Sequence, residues 1–158
     1  MFYTIFEGSI IQAQNKEVLE KFYGNVLELP QDYEQGKYIV ENGRLILNPN
    51  WEEEQAQKER ERIEKLTCTK RVFALMLQEV GITYTQLKEL IATNEQAQLE
   101  WELCVELQRG NPLLDVMAAE LHITSEHLDL IFKFANKEVT EEEFKEQIQL
   151  LNKEVVEE

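Results

Sequence analysis

The stretch YIVENGRLILNPNWEEEQAQKERERIEKL, residues 38–66, decides the fold because it passes from an apolar hairpin to a helix of charged residues. Two short apolar runs, 38–40 and 45–47, flank the pair Asn42-Gly43. Asn-Gly accepts the positive φ angles of a type I′ turn, which predicts a β-hairpin. A β-rich part of the chain is therefore expected to end here, and a helical part to begin.

The charged helix that follows is predicted from its start and its composition. Asn50, with Glu53 three residues later, has the spacing of a capping box. Between residues 52 and 65 the apolar residues are Ala56 and Ile63 alone, so the helix cannot be a core helix. We predict a solvated connector over residues 51–66. The alternative is that this helix packs against copies of itself in an oligomeric helical bundle.

Residues 1–50 have the pattern of a small β-rich module. Apolar residues at 2–6 predict a strand, residues 7–9 a turn, and 10–11 the start of a second strand. Asn15 is a cap for a short helix over residues 16–23, and residues 26–29 predict a third strand.

Residues 67–158 are expected to be helical throughout. Helix-capping residues recur at short intervals and divide this region into six predicted helices. Their limits are Thr69 to Val80, Thr83 or Thr85 to Ala92, Asn94 to Arg109, Asn111-Pro112 to His122, Thr124 to Ala135, and Thr140, in a capping box with Glu143, to about Val155.

An internal repeat runs through the helical region. MLQEVGITYTQLKELI at 76–91 matches MAAELHITSEHLDLIF at 117–132. In each copy a helix ends, an isoleucine fills the corner and a threonine caps the next helix. Two copies are too few for a solenoid, so a compact bundle with a duplicated helix–corner–helix unit is expected. The predicted fold class is α+β: a β-rich N-terminal module, a charged connector and an all-α C-terminal bundle.

The charge of the chain limits its partners. The net charge is −15, which disfavours direct binding to nucleic acid or to anionic lipid. The second corner of the repeat resembles a DNA-binding helix-turn-helix, but its second helix offers acidic residues and, as a cation, Lys133 alone. No apolar run approaches the roughly 20 residues of a membrane span, and residues 1–15 lack the basic start of a signal peptide. We therefore expect the protein to be located in the cytoplasm of the cell that makes it.

No pattern for catalysis, cofactor binding or metal binding stands out. His122 and His127 lie five residues apart and would not share a helix face, and Cys68 and Cys104 have apolar neighbours. The six glycines form no phosphate-binding loop. The chain is expected not to be an enzyme and to need no cofactor.

A resemblance is carried by residues 1–66, chiefly by FYTIFEGSIIQA, FYGNVLELP and NGRLILNPNWEEE. These phrases resemble the front half of small tail-associated proteins of bacteriophages and prophages. The resemblance implies a tail-fibre or baseplate accessory, or an assembly factor, that binds a tail component. It implies no catalytic residues, and it places the protein in the host cytoplasm as made and in the virion if it is structural.

Two hypotheses about function follow. The first is a non-enzymatic tail-associated structural or adaptor protein, which would form homo-oligomers because tail parts are symmetric. The second is an acidic inhibitor that occupies the basic nucleic-acid channel of a host defence nuclease, CRISPR-type or other. The candidate contact residues are of two kinds: a tryptophan at the junction of the hairpin and the charged helix, and glutamates at or near the start of the last helix. They are Trp51, Glu138, Glu141, Glu142, Glu143 and Glu146.

Overall fold

The computed structural model describes residues 1–157, and the side chains of residues 1–153. The described residues form eight helices and seven short strands, with strands dominating first and helices afterwards, so the α+β class is confirmed. The chain divides into two compact units, Met1–Gln57 and Lys58–Glu158. In sequence the division falls within the charged helix.

The first unit contains two small antiparallel sheets and one short helix. Its elements are β1 (Phe2–Phe6), β2 (Ser9–Ala13), α1 (Lys16–Tyr23), β3 (Leu27–Glu28), β4 (Tyr38–Glu41) and β5 (Arg44–Leu47), followed by the first residues of α2 (Trp51–Glu64).

The first sheet has the strand order β2-β1-β3. Its hairpin turns at Glu7 and Gly8, with φ angles of 49° and 76°, so the loop has two residues and the register pairs Phe6 with Ser9. Asn15 caps α1 through a hydrogen bond from the Glu17 backbone N–H, as the sequence predicts. The helix packs on β1 and β2.

The hairpin of β4 and β5 forms as predicted. Asn42 and Gly43 have φ angles of 50° and 72°, the combination that a type I′ turn requires. The start of α2 differs from the expected capping box on Asn50. Asn48 supplies the polar side chain instead: its Oδ1 accepts from the Asn50 N–H at 3.0 Å and its Nδ2 donates to the Gly36 carbonyl at 3.0 Å.

The two units differ sharply in how much apolar surface they bury. Among the described residues, Tyr3 and Leu19 are the only buried apolar residues of the first unit. The second unit has a continuous core centred on Ile131, Phe132 and Phe144, which are 1% exposed or less.

The second unit consists of helices joined by one pair of strands. Its elements after α2 are β6 (Thr67–Thr69), α3 (Lys70–Glu79), α4 (Tyr84–Ala92), α5 (Glu95–Leu103), β7 (Glu106–Gln108), α6 (Pro112–Glu120), α7 (Ser125–Ala135) and α8 (Glu141–Glu157). In the described part of the chain no helix is both long and apolar enough to cross a bilayer.

One sequence prediction for this unit is wrong. The expected helix from Asn94 to Arg109 ends at Leu103, and Glu106–Gln108 forms β7 instead, antiparallel to β6. The C-terminal part is therefore not all-α. The strand is favoured over a longer helix because it pairs Leu107 with Cys68 and buries Leu107 in the core.

The internal repeat is present as two helix–corner–helix units, α3–α4 and α6–α7. The same backbone hydrogen bond closes both corners: the Ile82 N–H donates to the Leu77 carbonyl at 2.8 Å, and the Ile123 N–H to the Ala118 carbonyl at 3.0 Å. Both isoleucines are buried. The prediction that an isoleucine fills each corner is confirmed.

The residue before each corner isoleucine adopts a left-handed conformation. This residue is Gly81 in the first copy, with φ of 98°, and His122 in the second, with φ of 57°. In the first copy Thr83 caps the helix that follows, which decides between the two predicted caps, Thr83 and Thr85. In the second copy the cap is Thr124, as the sequence predicts.

Candidate protein-binding surfaces

The acidic residues singled out from the sequence differ in how far they are free to bind a partner. Glu138 lies in the turn between α7 and α8, where its two carboxylate oxygens accept from Arg62 at 2.6 and 2.9 Å. This bidentate pair fastens the end of α2 to the turn, and it leaves the Glu138 carboxylate neutralised within the chain.

The start of α8 uses two more of these carboxylates. Glu143 accepts from the Thr140 N–H at 2.7 Å and from its hydroxyl at 2.9 Å, which is the predicted capping box. These hydrogen bonds, the backbone one above all, lower the pKa of Glu143. Glu141 pairs with Lys145 at 2.5 Å, one turn further along α8.

Glu142 and Glu146 are the remaining members of the acidic set. Both are exposed, and they lie one turn apart on α8. Their side chains make no hydrogen bond or ion pair within the part of the chain that the structure describes. The acidic surface available to a partner at this helix is thus smaller than the sequence indicates.

Trp51 is the first residue of α2 and is half-buried. Its ring lies over Gly36. A Cβ at position 36 would lie only 3.2 Å from the ring atom Cζ3, so the close approach depends on glycine. Gly36 also has φ of 91°, a conformation that favours glycine. The structure therefore places Trp51 as a packing residue of the first unit, with only part of its surface available for contact.

A cluster around the buried Arg109 was not predicted from the sequence. The guanidinium donates to Asp129 at 2.6 Å, to Asp115 at 3.0 Å and to the Ser125 hydroxyl at 2.5 Å. A depression of about 350 Å³ lies beside it. Two carboxylates already neutralise the cation, so the cluster ties β7 to α6 and α7 and leaves no charge for an anionic ligand. Ser125 and Asp129 lie 16 and 20 residues from Arg109 along the chain, and no local pattern marks the cluster.

Among the side chains that the structure describes in this unit, His127 is the other buried polar residue. Its Nδ1 accepts from the Thr124 backbone N–H at 3.1 Å, so the proton of the neutral ring is on Nε2, which donates to Asn152 Oδ1 at 3.2 Å. Both ring nitrogens are engaged within the chain. His122 lies on the surface at the corner.

Two further features of the described residues concern metal binding and thiol reactivity. No group of three or more His, Cys, Asp or Glu side chains among them is placed to hold a metal ion. Burial raises the pKa of the Cys68 thiol to about 12, so it stays protonated and unreactive near neutral pH.

The first unit carries an exposed aromatic surface, formed by Phe6, Val18, Phe22 and Tyr23. Phe22 is 70% exposed and Val18 49%, one turn apart on α1. The Tyr23 ring meets Phe6 edge-on with centroids 5.3 Å apart, and Phe22 at 6.5 Å. The rings therefore form one patch and not scattered side chains.

The second unit carries its own exposed apolar surface, formed by Leu99, Leu103 and Val105. Leu103 is 73% exposed and Val105 82%. Leu99 and Leu103 lie one turn apart on α5, opposite the buried Ala97. We call this the α5 surface. A signal for it was present: apolar residues at 97, 99, 101 and 103 are more than one face of a short helix can bury.

No family model, characterised protein sequence or solved structure matches this chain. Its own surfaces are therefore the guide to its function. Of these, the two apolar surfaces are the features that the fold itself does not use.

Proposed function

We propose that this protein is a non-enzymatic adaptor that acts by binding other proteins. One observation carries the proposal: each unit exposes a patch of large apolar side chains, while the buried polar clusters are saturated within the chain. Apolar patches of this kind are typical of protein-binding sites, and the best interfaces are built around aromatic residues such as Phe22 and Tyr23.

The resemblance of residues 1–66 supports a place for this adaptor among tail-associated proteins of bacteriophages or prophages. The protein would be made in the host cytoplasm. It would join a tail-fibre or baseplate component, either during assembly or as a part of the virion. A division into two units, each with its own apolar surface, fits a protein that holds two components together.

The acidic inhibitor is a second candidate, favoured by the free carboxylates of Glu142 and Glu146 and by the net charge of −15. It has less support than the adaptor. Three of the five acidic residues assigned to it are occupied: Glu138 by Arg62, Glu141 by Lys145 and Glu143 by Thr140.

A pull-down from a lysate in which the phage or prophage genes are expressed tests the adaptor. The bait is the tagged protein, the readout is mass spectrometry, and the variant carries Leu103→Ser with Val105→Ser. We expect tail components with the wild type and at least a tenfold loss with the variant. Leu75→Ser is the matched control, since Leu75 is an exposed leucine on α3 outside the α5 surface.

The same experiment separates the two candidates. Capture of a nucleic-acid-binding nuclease, weakened by Glu142→Gln with Glu146→Gln and by raised salt, would replace the adaptor with the inhibitor. Tail components captured equally well by the α5-surface variant would show that this surface is not the contact.

A further inference from the structure

Strand β2 has one open edge. In a two-residue hairpin the flanking pair, Phe6 and Ser9, exchanges both backbone hydrogen bonds, and alternate pairs beyond it do the same. Ser9, Ile11 and Ala13 therefore bond to β1. The N–H and C=O groups of Ile10 and Gln12 point outward from the edge of the sheet.

This edge lacks the features that prevent an edge strand from pairing with a strand of another chain. Monomeric proteins protect such edges with charged residues, proline or a bulge. The sequence of β2 is SIIQA, without charge or proline, and its register with β1 is unbroken from residue 9 to residue 13. The opposite edge, β3, is two residues long and carries Glu28.

We propose that a second copy of this chain covers the edge, with β2 antiparallel to β2 about a two-fold axis at Ile11. In this register Ile10 of each copy lies opposite Gln12 of the other. All eight outward backbone groups of the two copies then pair in about four hydrogen bonds. Beyond the strand Glu7 faces Asn15, so no two like charges meet.

Helix α1 extends the same contact. Strands β2 and β3 are parallel to each other on either side of β1, so β2–α1–β3 is a crossover connection, and such connections are almost always right-handed. With the buried Leu19 toward the sheet, this hand places Val18 and Phe22 on the β2 side of α1. Tyr23 is placed toward β1, in agreement with its contact with Phe6.

The spacing of the two α1 helices in the pair suits direct packing. A two-fold axis perpendicular to the sheet keeps both helices on one face, each above its own β1 and β2. With strands about 4.8 Å apart the helix axes lie about 10 Å apart, which is close to the 8–10 Å of packed helices. One association would thus cover the open edge and the exposed sides of Val18 and Phe22.

The charges on β2 and α1 do not oppose the binding of a second copy at this edge. The chain carries −15 in total, but α1 has two lysines and two glutamates, and β2 has no charge. The paired surfaces are therefore neutral. This inference deepens the proposed adaptor: the first unit would make the symmetric pair, and the α5 surface would stay available for another protein.

Sedimentation equilibrium of the full chain, up to about 100 μM, tests the pair at a concentration that populates even a micromolar interface. We expect twice the 18.6-kDa chain mass for the wild type, and at least a tenfold higher dissociation constant for Val18→Ser with Phe22→Ser. Leu47→Ser is the matched control, an exposed leucine of β5 in the same unit. A wild-type monomer, or a variant that pairs as well as the wild type, overturns the proposal.

Amide hydrogen exchange supplies a second readout that folding defects cannot imitate. The amides of Ile10 and Gln12 should be protected at high protein concentration and exchange freely at low concentration, whereas those of Ile11 and Ala13 stay protected by β1. Equal exchange of all four at both concentrations would also overturn the pair. Because Leu103→Ser should leave the dimer intact, failure of the adaptor and failure of the dimer are distinguishable.

Discussion

Gln86 and His127 occupy the same position in the two copies of the repeat, the third residue of the second helix. Each side chain accepts a hydrogen bond from the backbone N–H of the capping threonine, at 2.8 Å from Thr83 and at 3.1 Å from Thr124. A glutamine amide and a neutral imidazole thus perform one task in two settings. Gln86 is exposed, and His127 is buried against α8.

Replacing His127 by the residue of the other copy should be mild. In His127→Gln the amide oxygen can still accept from Thr124, so we expect a loss of about 1 kcal/mol, from the contact with Asn152. His127→Leu should cost about 2 kcal/mol, because it removes both hydrogen bonds and leaves the N–H of the half-buried Thr124 without its acceptor. Urea unfolding measures both. Equal losses for the two variants would show that the capping bond does not stabilise this corner.

Exchanging the left-handed corner residues should have opposite effects. His122→Gly should stabilise the protein by about 1 kcal/mol, because glycine adopts a φ of 57° without the steric cost of a Cβ. Gly81→His should destabilise it by a similar amount. Thermal unfolding of both variants checks this. A lower unfolding temperature for His122→Gly would mean that the exposed imidazole makes a stabilising contact larger than the backbone strain.

The Arg109 cluster should be sensitive to which member is removed. Arg109→Met leaves Asp129 and Asp115 without their cation, and we expect a loss of about 3 kcal/mol or more in unfolding free energy. Asp115→Asn should cost less than about 1 kcal/mol, since the Asp115 side chain is half exposed and Arg109 keeps Asp129. The unfolding midpoint in urea measures the difference. Similar losses for both would argue against Asp129 as the main partner.

Acid should weaken the capping box at α8. The pKa of Glu143 is lowered from its ordinary value of 4.5, so its ionised form stabilises the fold above pH 4.5. That contribution is lost as the pH falls through the lowered folded value. Glu143→Gln can still cap but does not titrate, so its deficit in unfolding temperature relative to wild type should shrink between pH 6 and pH 3.

Glu142→Gln is the control for this titration, because it removes the same charge from the same helix turn without touching the cap. Its difference from wild type should change less over this pH range than that of Glu143→Gln. If the two variants follow one pH profile, the helix dipole and not the capping bond accounts for the effect.

Much of this fold could be predicted because its signals are local. The Asn42-Gly43 turn, the capping threonines and the isoleucine corners each depend on residues within a few positions of one another. β7 could not be predicted, because residues 106–108 form a strand only by pairing with β6, about 40 residues earlier in the chain. The Arg109 cluster escaped because Ser125 and Asp129 lie 16 and 20 residues further along the chain. The α5 surface, in contrast, had a local signal in its excess of apolar residues.

The pairing of β6 with β7 has a consequence for how the protein is made. Cys68 leaves the ribosome about 40 residues before Leu107, and closing a loop of that length costs entropy that only later contacts repay. The first helix–corner–helix copy is synthesised wholly inside this loop. We expect these two helices to remain incompletely packed until β7 has been synthesised. The second unit should therefore fold late during translation and in one cooperative step.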